Sequence, residues 1–195
     1  LCDRFIHGAS KKEILPLESS KMTGKKFMNT VANGKEDILQ IFLDILKRTK
    51  TAYCIVGGLA VNAYAEPVVS LDLDVVIEIK DIDKVSKEVF DKGLKVERFE
   101  HSVNLTSSKS DLRIQIQTDS RYQEFLSRAS SKEVLGYKMN VAAIEDVLQG
   151  KVWAYVDQKR RMSKRQKDLA DIIRLIETYP SLEHLIPSVI LDKLK

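Results

Sequence analysis

The chain has 195 residues, is 44% hydrophobic and 31% charged, and carries a formal net charge of +4. This suits one globular domain with its own core and a small appendage, and the mild basicity permits a nucleic-acid partner without demanding one. Two cysteines, Cys2 and Cys54, make no disulfide framework, no apolar run is long enough for a membrane span, and the first residues lack a basic-then-apolar signal pattern; a reducing, cytoplasmic setting is expected.

Residues 1–33 are polar and irregular and read as an N-terminal arm with at most one helical turn or short strand. From there Ile38, Ile41, Phe42, Ile45 and Leu46 recur at helical spacing, predicting an amphipathic helix over residues 35–49. AYCIVG is a short buried strand ended by Gly57 and Gly58, LAVNAYA a short helix stopped by Pro67, and SLDLDVVIEI a strand. DIDKVSKEVFDKG reads as a helix that Asp81 or Asp83 caps and Gly93 ends. LKVERFE and HSVNLTS are short strands. In SDLRIQIQTD, Leu112, Ile114 and Ile116 alternate with Arg113, Gln115 and Gln117.

RYQEFLSRA is helical, and KEVLGYKMNVA is a hairpin turning at Gly136. The remainder is helical: AIEDVLQGKVWAYVDQ, then KRQKDLADIIRLIETYP, then a short closing segment. The fold class is α/β (α+β): a mixed β-sheet flanked by helices with a small C-terminal helical part. The boundaries expected are an arm over 1–33, a core over 34–130, and a helical region over 131–195 packed on it.

Gly57 and Gly58 lie between a strand and a helix, where a backbone without Cβ turns sharply and approaches a ligand closely. Unpaired N–H groups at the start of the next helix suit a phosphate, although such a pair is often only a tight turn. Asp72 and Asp74 are two apart on a strand and so share one face, with Leu71, Leu73 and Val75 on the other. Two close carboxylates repel unless a cation or proton intervenes, and Mg²⁺ takes one or two carboxylates plus substrate phosphates. An acidic exposed strand face is the plainer account of the same pair.

Gly-Gly, a short helix and Asp-x-Asp between apolar residues resembles the signature of the nucleotidyltransferase superfamily, whose fold is shared with DNA polymerase beta. Gly57, Gly58, Asp72 and Asp74 match it, and Ser70 suits the Ser or Thr common two positions before the first Asp. The segment from residue 143 to 176 looks like the tail of the AbiEii-type nucleotidyltransferases: Lys151 matches their helical lysine, and Lys167, Asp168 and Asp171 their following basic-Asp and second Asp. Lys151 follows Val147 by four and Leu148 by three residues, so it lies on the inward stripe of its helix. There it snorkels, pairs with Asp168, or meets a triphosphate.

The resemblance implies transfer of a nucleoside monophosphate from an NTP to a hydroxyl of an RNA (a tRNA end) or protein acceptor. It implies Mg²⁺ (or Mn²⁺) held by Asp72 and Asp74, a catalytic set of Asp72, Asp74, Lys151 and Asp168, and nucleotide binding by Gly57, Gly58, Ser70 and Lys151. It further implies a toxin role in toxin–antitoxin or phage defence, with an antitoxin as partner.

The pattern departs from the family in two places. A third carboxylate is usual on a neighbouring strand, but the polar face of DLRIQIQTD carries Gln115 and Gln117 centrally, with Asp111 and Asp119 only at its ends. The position four before Asp72, often Arg in relatives, is Val68. A silent protein of this fold that binds NTP, RNA or a partner without turnover is therefore the rival. A nucleic-acid binder using the run Lys159, Arg160, Arg161, Lys164 and Arg165 is a third reading, though aromatics for base stacking are missing from it. His7, His101 and His184 are too far apart in sequence for a local metal motif.

Overall fold

The computed structural model describes residues 22–193; Cys2, His7 and most of the expected arm lie outside them. Its elements are α1 (Gly24–Val31), α2 (Ile38–Arg48), β1 (Tyr53–Val56), α3 (Gly57–Val61), β2 (Asp72–Ile77), α4 (Ile82–Asp91), β3 (Lys95–Arg98), β4 (Ser102–Ser107), β5 (Ser110–Gln117), α5 (Phe125–Arg128), β6 (Ser130–Val134), β7 (Tyr137–Val141), α6 (Ile144–Val156), α7 (Met162–Thr178) and α8 (Ser188–Leu191). Among the described residues no helix is long and apolar enough to cross a membrane.

The strands form one mixed seven-stranded sheet in the order β3-β4-β5-β2-β1-β7-β6. β2 runs antiparallel to β1 and parallel to β5, and β1 runs parallel to β7. The period-2 pattern of β5 holds: Leu112, Ile114 and Ile116 are buried, and Arg113, Gln115 and Gln117 face the other way. The apolar face is covered by α2, whose Phe42 and Leu46 are fully buried, and by α4. The expected hairpin of β6 and β7 turns at Leu135 and Gly136 and extends this same sheet.

Two elements differ from the sequence reading. Residues 24–31, within the expected arm, form a two-turn helix: the Thr23 side chain accepts the Lys26 N–H at 3.2 Å, and Met28 is buried against the core. The short helix after β1 begins on the glycines and ends at Val61, with turns filling residues 62–66. Asn62 ties that segment down, donating to the Val68 carbonyl at 2.7 Å and accepting the Val68 N–H at 3.0 Å.

α6 and α7 pack on each other and on α3, on the sheet's polar side. Asp146 on α6 is bound through both oxygens by Arg128, at 2.7 and 2.9 Å, fixing α6 to α5.

Candidate active site

β2 brings Asp72 and Asp74 to one face at the end of the strand where α3 begins. On the β5 side, Arg113 stands in register with Asp72 and Gln115 with Asp74. Arg113 donates to Asp72 Oδ1 at 2.6 Å, and Lys164 from α7 donates to Asp72 Oδ2 at 3.1 Å. Gln117 Nε2 donates to Asp74 Oδ1 at 3.3 Å. Burial pushes the Asp74 carboxyl above its ordinary value; Asp72 adds to this, while Lys151, Arg160 and the Gln117 hydrogen bond oppose it.

Gly57 fits because it has no side chain. Its φ is +68°, and a Cβ there would stand 2.1 Å from Asp74 Oδ2. Gly58 sits beside Ser70, whose hydroxyl would lie 3.6 Å from a Cβ on Gly58. Ser70 Oγ accepts the Asp72 N–H at 3.3 Å and donates to the Asp72 carbonyl at 3.1 Å, fixing the entry into β2.

Behind the pair lies a buried ionic network. Lys151 contacts Asp168 at 3.0 Å and Asp171 at 2.6 Å, with its side chain 9% exposed. Asp168 is one of the partners open to Lys151 in the sequence; Asp171 is not among them. Arg160 reaches Asp168 at 2.7 Å, and Arg174 reaches Asp171 at 2.7 Å and Asn62 at 3.0 Å, with a further contact to the Glu66 carbonyl. Burial works to lower the Lys151 pKa, but Asp171 and Asp168 more than offset it, so the ammonium titrates above its ordinary value.

The sequence-predicted residues Gly57, Gly58, Ser70, Asp72, Asp74, Lys151 and Asp168 thus meet around one cleft. Sequence reasoning missed Arg113 and the role of Lys164 at Asp72. These pairs join residues 41 and 92 apart in the chain, and only the parallel pairing of β5 with β2 could have signalled the first. Much of the basic run is committed internally: Arg160 to Asp168, Lys164 to Asp72, and Arg165 to the Tyr155 carbonyl at 2.7 Å.

The cleft has two lobes that share the aspartates. One, of about 530 Å³, runs between the loop before β2 and α7, lined by Gly58, Ser70, Lys167 and Arg174. The other, of about 950 Å³, opens across the sheet over β5, β4 and β3 and reaches Tyr122 and Trp153. Arg113, Lys151, Arg160 and Lys164 line both.

Two carboxylates on one strand face, with room for substrate oxygens on both sides, suit a single hard cation such as Mg²⁺. Among the described residues no group of three acidic, His or Cys side chains is gathered to hold a metal without substrate. Asp111 is drawn off by Asn33, at 2.6 Å, and Asp119 Oδ2 accepts from Arg121 Nη2 at 2.7 Å and Nε at 2.9 Å.

No protein-family model matches the chain, and no curated protein sequence matches it. Solved structures do. The antibiotic-resistance factor ANT(2'')-Ia, in complex with adenylyl-2''-tobramycin, superposes with a TM-score of 0.56 at 13% identity, over 81% of this chain and 98% of that one. The lincosamide antibiotic adenylyltransferase LnuA, lincomycin-bound, gives 0.53 at 16% identity, over 73% and 99%. An antigenic nucleotidyltransferase-like protein from Paracoccidioides brasiliensis gives 0.52 at 18% identity, over 77% and 75%. At this level of identity the likeness is one of fold: the chain has the nucleotidyltransferase fold.

Proposed function

We propose that this protein is a nucleotidyltransferase that moves a nucleoside monophosphate from an NTP to an acceptor hydroxyl. The observation that carries this reading is the Asp72/Asp74 pair at the junction of two lobes, one of them rimmed by Lys164, Lys167 and Arg174. The acceptor oxygen forms a bond to the α-phosphorus. The bond from that phosphorus to the bridging oxygen breaks, pyrophosphate leaves with the electron pair, and the hydroxyl proton passes to solvent.

Asp72 and Asp74 would hold Mg²⁺ (or Mn²⁺), which when bound neutralises the phosphates and orients the transferred group. Arg113 and Lys164, which rest on Asp72, are placed to follow the incoming negative charge onto the phosphates. Gly57 and Gly58 let the turn between β1 and α3 pass close to Asp74 and Ser70, and the nucleotide would lie beside that turn. Lys151 holds Asp168 and Asp171 and lends positive charge to Asp74. A toxin role with an antitoxin partner, and an RNA or protein acceptor, rest on the likeness of residues 143–176 to AbiEii-type proteins.

A silent NTP-binding protein is the second reading, favoured by Gln115 standing in register beside Asp74. Incubation with each of the four NTPs, labelled at the α-phosphate, with and without Mg²⁺, separates the two. Transfer is expected with one or more NTPs and is absent from Asp72→Asn. Mg²⁺-dependent NTP binding without transfer selects the silent protein.

A further inference from the structure

The two lobes differ in what they offer. Lining only the α7 lobe, Lys167 and Arg174 stand against Asp171 alone. Lining only the sheet lobe, Glu97, Asp119 and Asp157 stand against Arg121 and Lys159. Arg121 is already spent on Asp119 and on the face of Trp153, 4.9 Å from the ring centre. A triphosphate therefore suits the α7 lobe, whose own charges sum to positive, whereas the sheet lobe sets Arg121 and Lys159 against three carboxylates, a poor match for a second polyanion.

The floor of the sheet lobe is a cross-strand row. Asp74 on β2 pairs in register with Gln115 on β5, Gln115 with Asn104 on β4, and Asn104 with Glu97 on β3. Side chains in register on adjacent strands lie on the same face. Asn104 Oδ1 is buried, with no hydrogen-bond partner among the described residues, and an amide left so is costly unless something supplies the bond. Among the described residues Glu97 is held only by the exposed Lys95, at 2.8 Å, a contact a ligand displaces readily. Tyr122 and Trp153 also line this lobe and meet edge to face at 5.4 Å, with the buried Phe125 stacked on Trp153 at 5.8 Å.

We infer that the sheet lobe is the acceptor site, and that it takes a compact neutral or cationic molecule bearing several hydroxyl or amino groups. The row supplies acceptors for hydrogen-bond donors, led by the Glu97 carboxylate, with the Gln115 amide beside it. Tyr122 and the part of Trp153 that Phe125 and Arg121 leave open supply an apolar border for the carbon frame. The volume of about 950 Å³ fits a small molecule beside the reacting phosphate. An RNA end would set its phosphates against Glu97. This inference rests on the proposed nucleotidyl transfer.

The test uses the full chain, Mg²⁺ and α-labelled NTP with three separate acceptor pools from one cell extract: metabolites below about 1 kDa, total RNA, and total protein. Label is expected in the metabolite pool and is lost in Asp72→Asn. In Glu97→Gln, yield at limiting metabolite concentration falls about tenfold, the loss of one charged hydrogen bond, while Mg²⁺-dependent NTP binding is unchanged. Label in RNA or protein instead, or full yield from Glu97→Gln, overturns the acceptor assignment and leaves nucleotidyl transfer standing. No labelled product in any pool overturns both.

Discussion

Gly57 and Asp74 share one space: a Cβ on Gly57 would lie 2.1 Å from the Asp74 carboxylate. Gly93 also has a positive φ, +80°, but nothing lies within 4 Å of where its Cβ would be. Both Gly→Ala changes incur left-handed strain of about 1–2 kcal/mol. Only Gly57→Ala adds the clash, so it is expected to destabilise more than Gly93→Ala and to weaken Mg²⁺–NTP binding. Chemical denaturation and calorimetric titration check this; equal costs in the two variants would show that Asp74 does not depend on Gly57.

Asp74→Asn separates stability from binding. Because burial raises its pKa in the fold, ionised Asp74 is a cost to folding. That cost is absent where the carboxyl is protonated in both folded and unfolded chains. It grows as pH rises past the ordinary aspartate value and is complete above the raised one. The metal-free Asp74→Asn protein is therefore expected to melt higher than wild type at neutral pH, with the difference closing in acid, while transfer falls on the order of a thousandfold. Thermal melts across pH read the first effect; a lower melting temperature at neutral pH would contradict it.

The Lys151 ammonium is expected to matter for folding more than for nucleotide contact. Lys151→Met leaves Asp168, 2% exposed, with Arg160 and Asp171 with Arg174. Breaking a buried pair costs about 3 kcal/mol, the low end because those partners remain. Its raised pKa means the contribution is complete at neutral pH and is lost only in strong alkali, as pH climbs through the folded value. A double-mutant cycle with Asp168→Asn reads the coupling, and simple additivity would contradict it.

Gln115→Glu restores a carboxylate beside Asp74. More ligand charge at an oxygen site raises cation affinity, so Mn²⁺ binding without nucleotide is expected to tighten roughly tenfold, with loss of stability in chelator. Titration with Mn²⁺ checks it; an unchanged affinity would mean that the Gln115 side chain does not reach the pair.

Much of this site was legible because its signals are local. Asp72 and Asp74 are two apart on a strand, and Gly57 and Gly58 follow an apolar run, so periodicity alone set them on a shared face and at a turn. Lys151 was legible on the inward stripe of α6, and its choice among partners needed the packing of α6 on α7. Arg113, Lys164 and Arg174 were not legible as site residues. Each reads locally as a solvated charge, and only the β2–β5 pairing and the return of α7 bring them to Asp72 and Asn62. The cross-strand row from Asp74 to Glu97 is likewise a product of strand order, to which single-strand alternation is blind. Helix α1 hid in a polar stretch because Met28 is its sole buried residue.

The most direct measurement compares NTP labelled at the α-phosphate with NTP labelled at the γ-phosphate, incubated with the protein, Mg²⁺ and the extract pools. Stable product label from the α-position only, with γ-label recovered in pyrophosphate and both lost in Asp72→Asn, is the result expected of nucleotidyl transfer. Product label from the γ-position, or α-labelled product undiminished in Asp72→Asn, would contradict it.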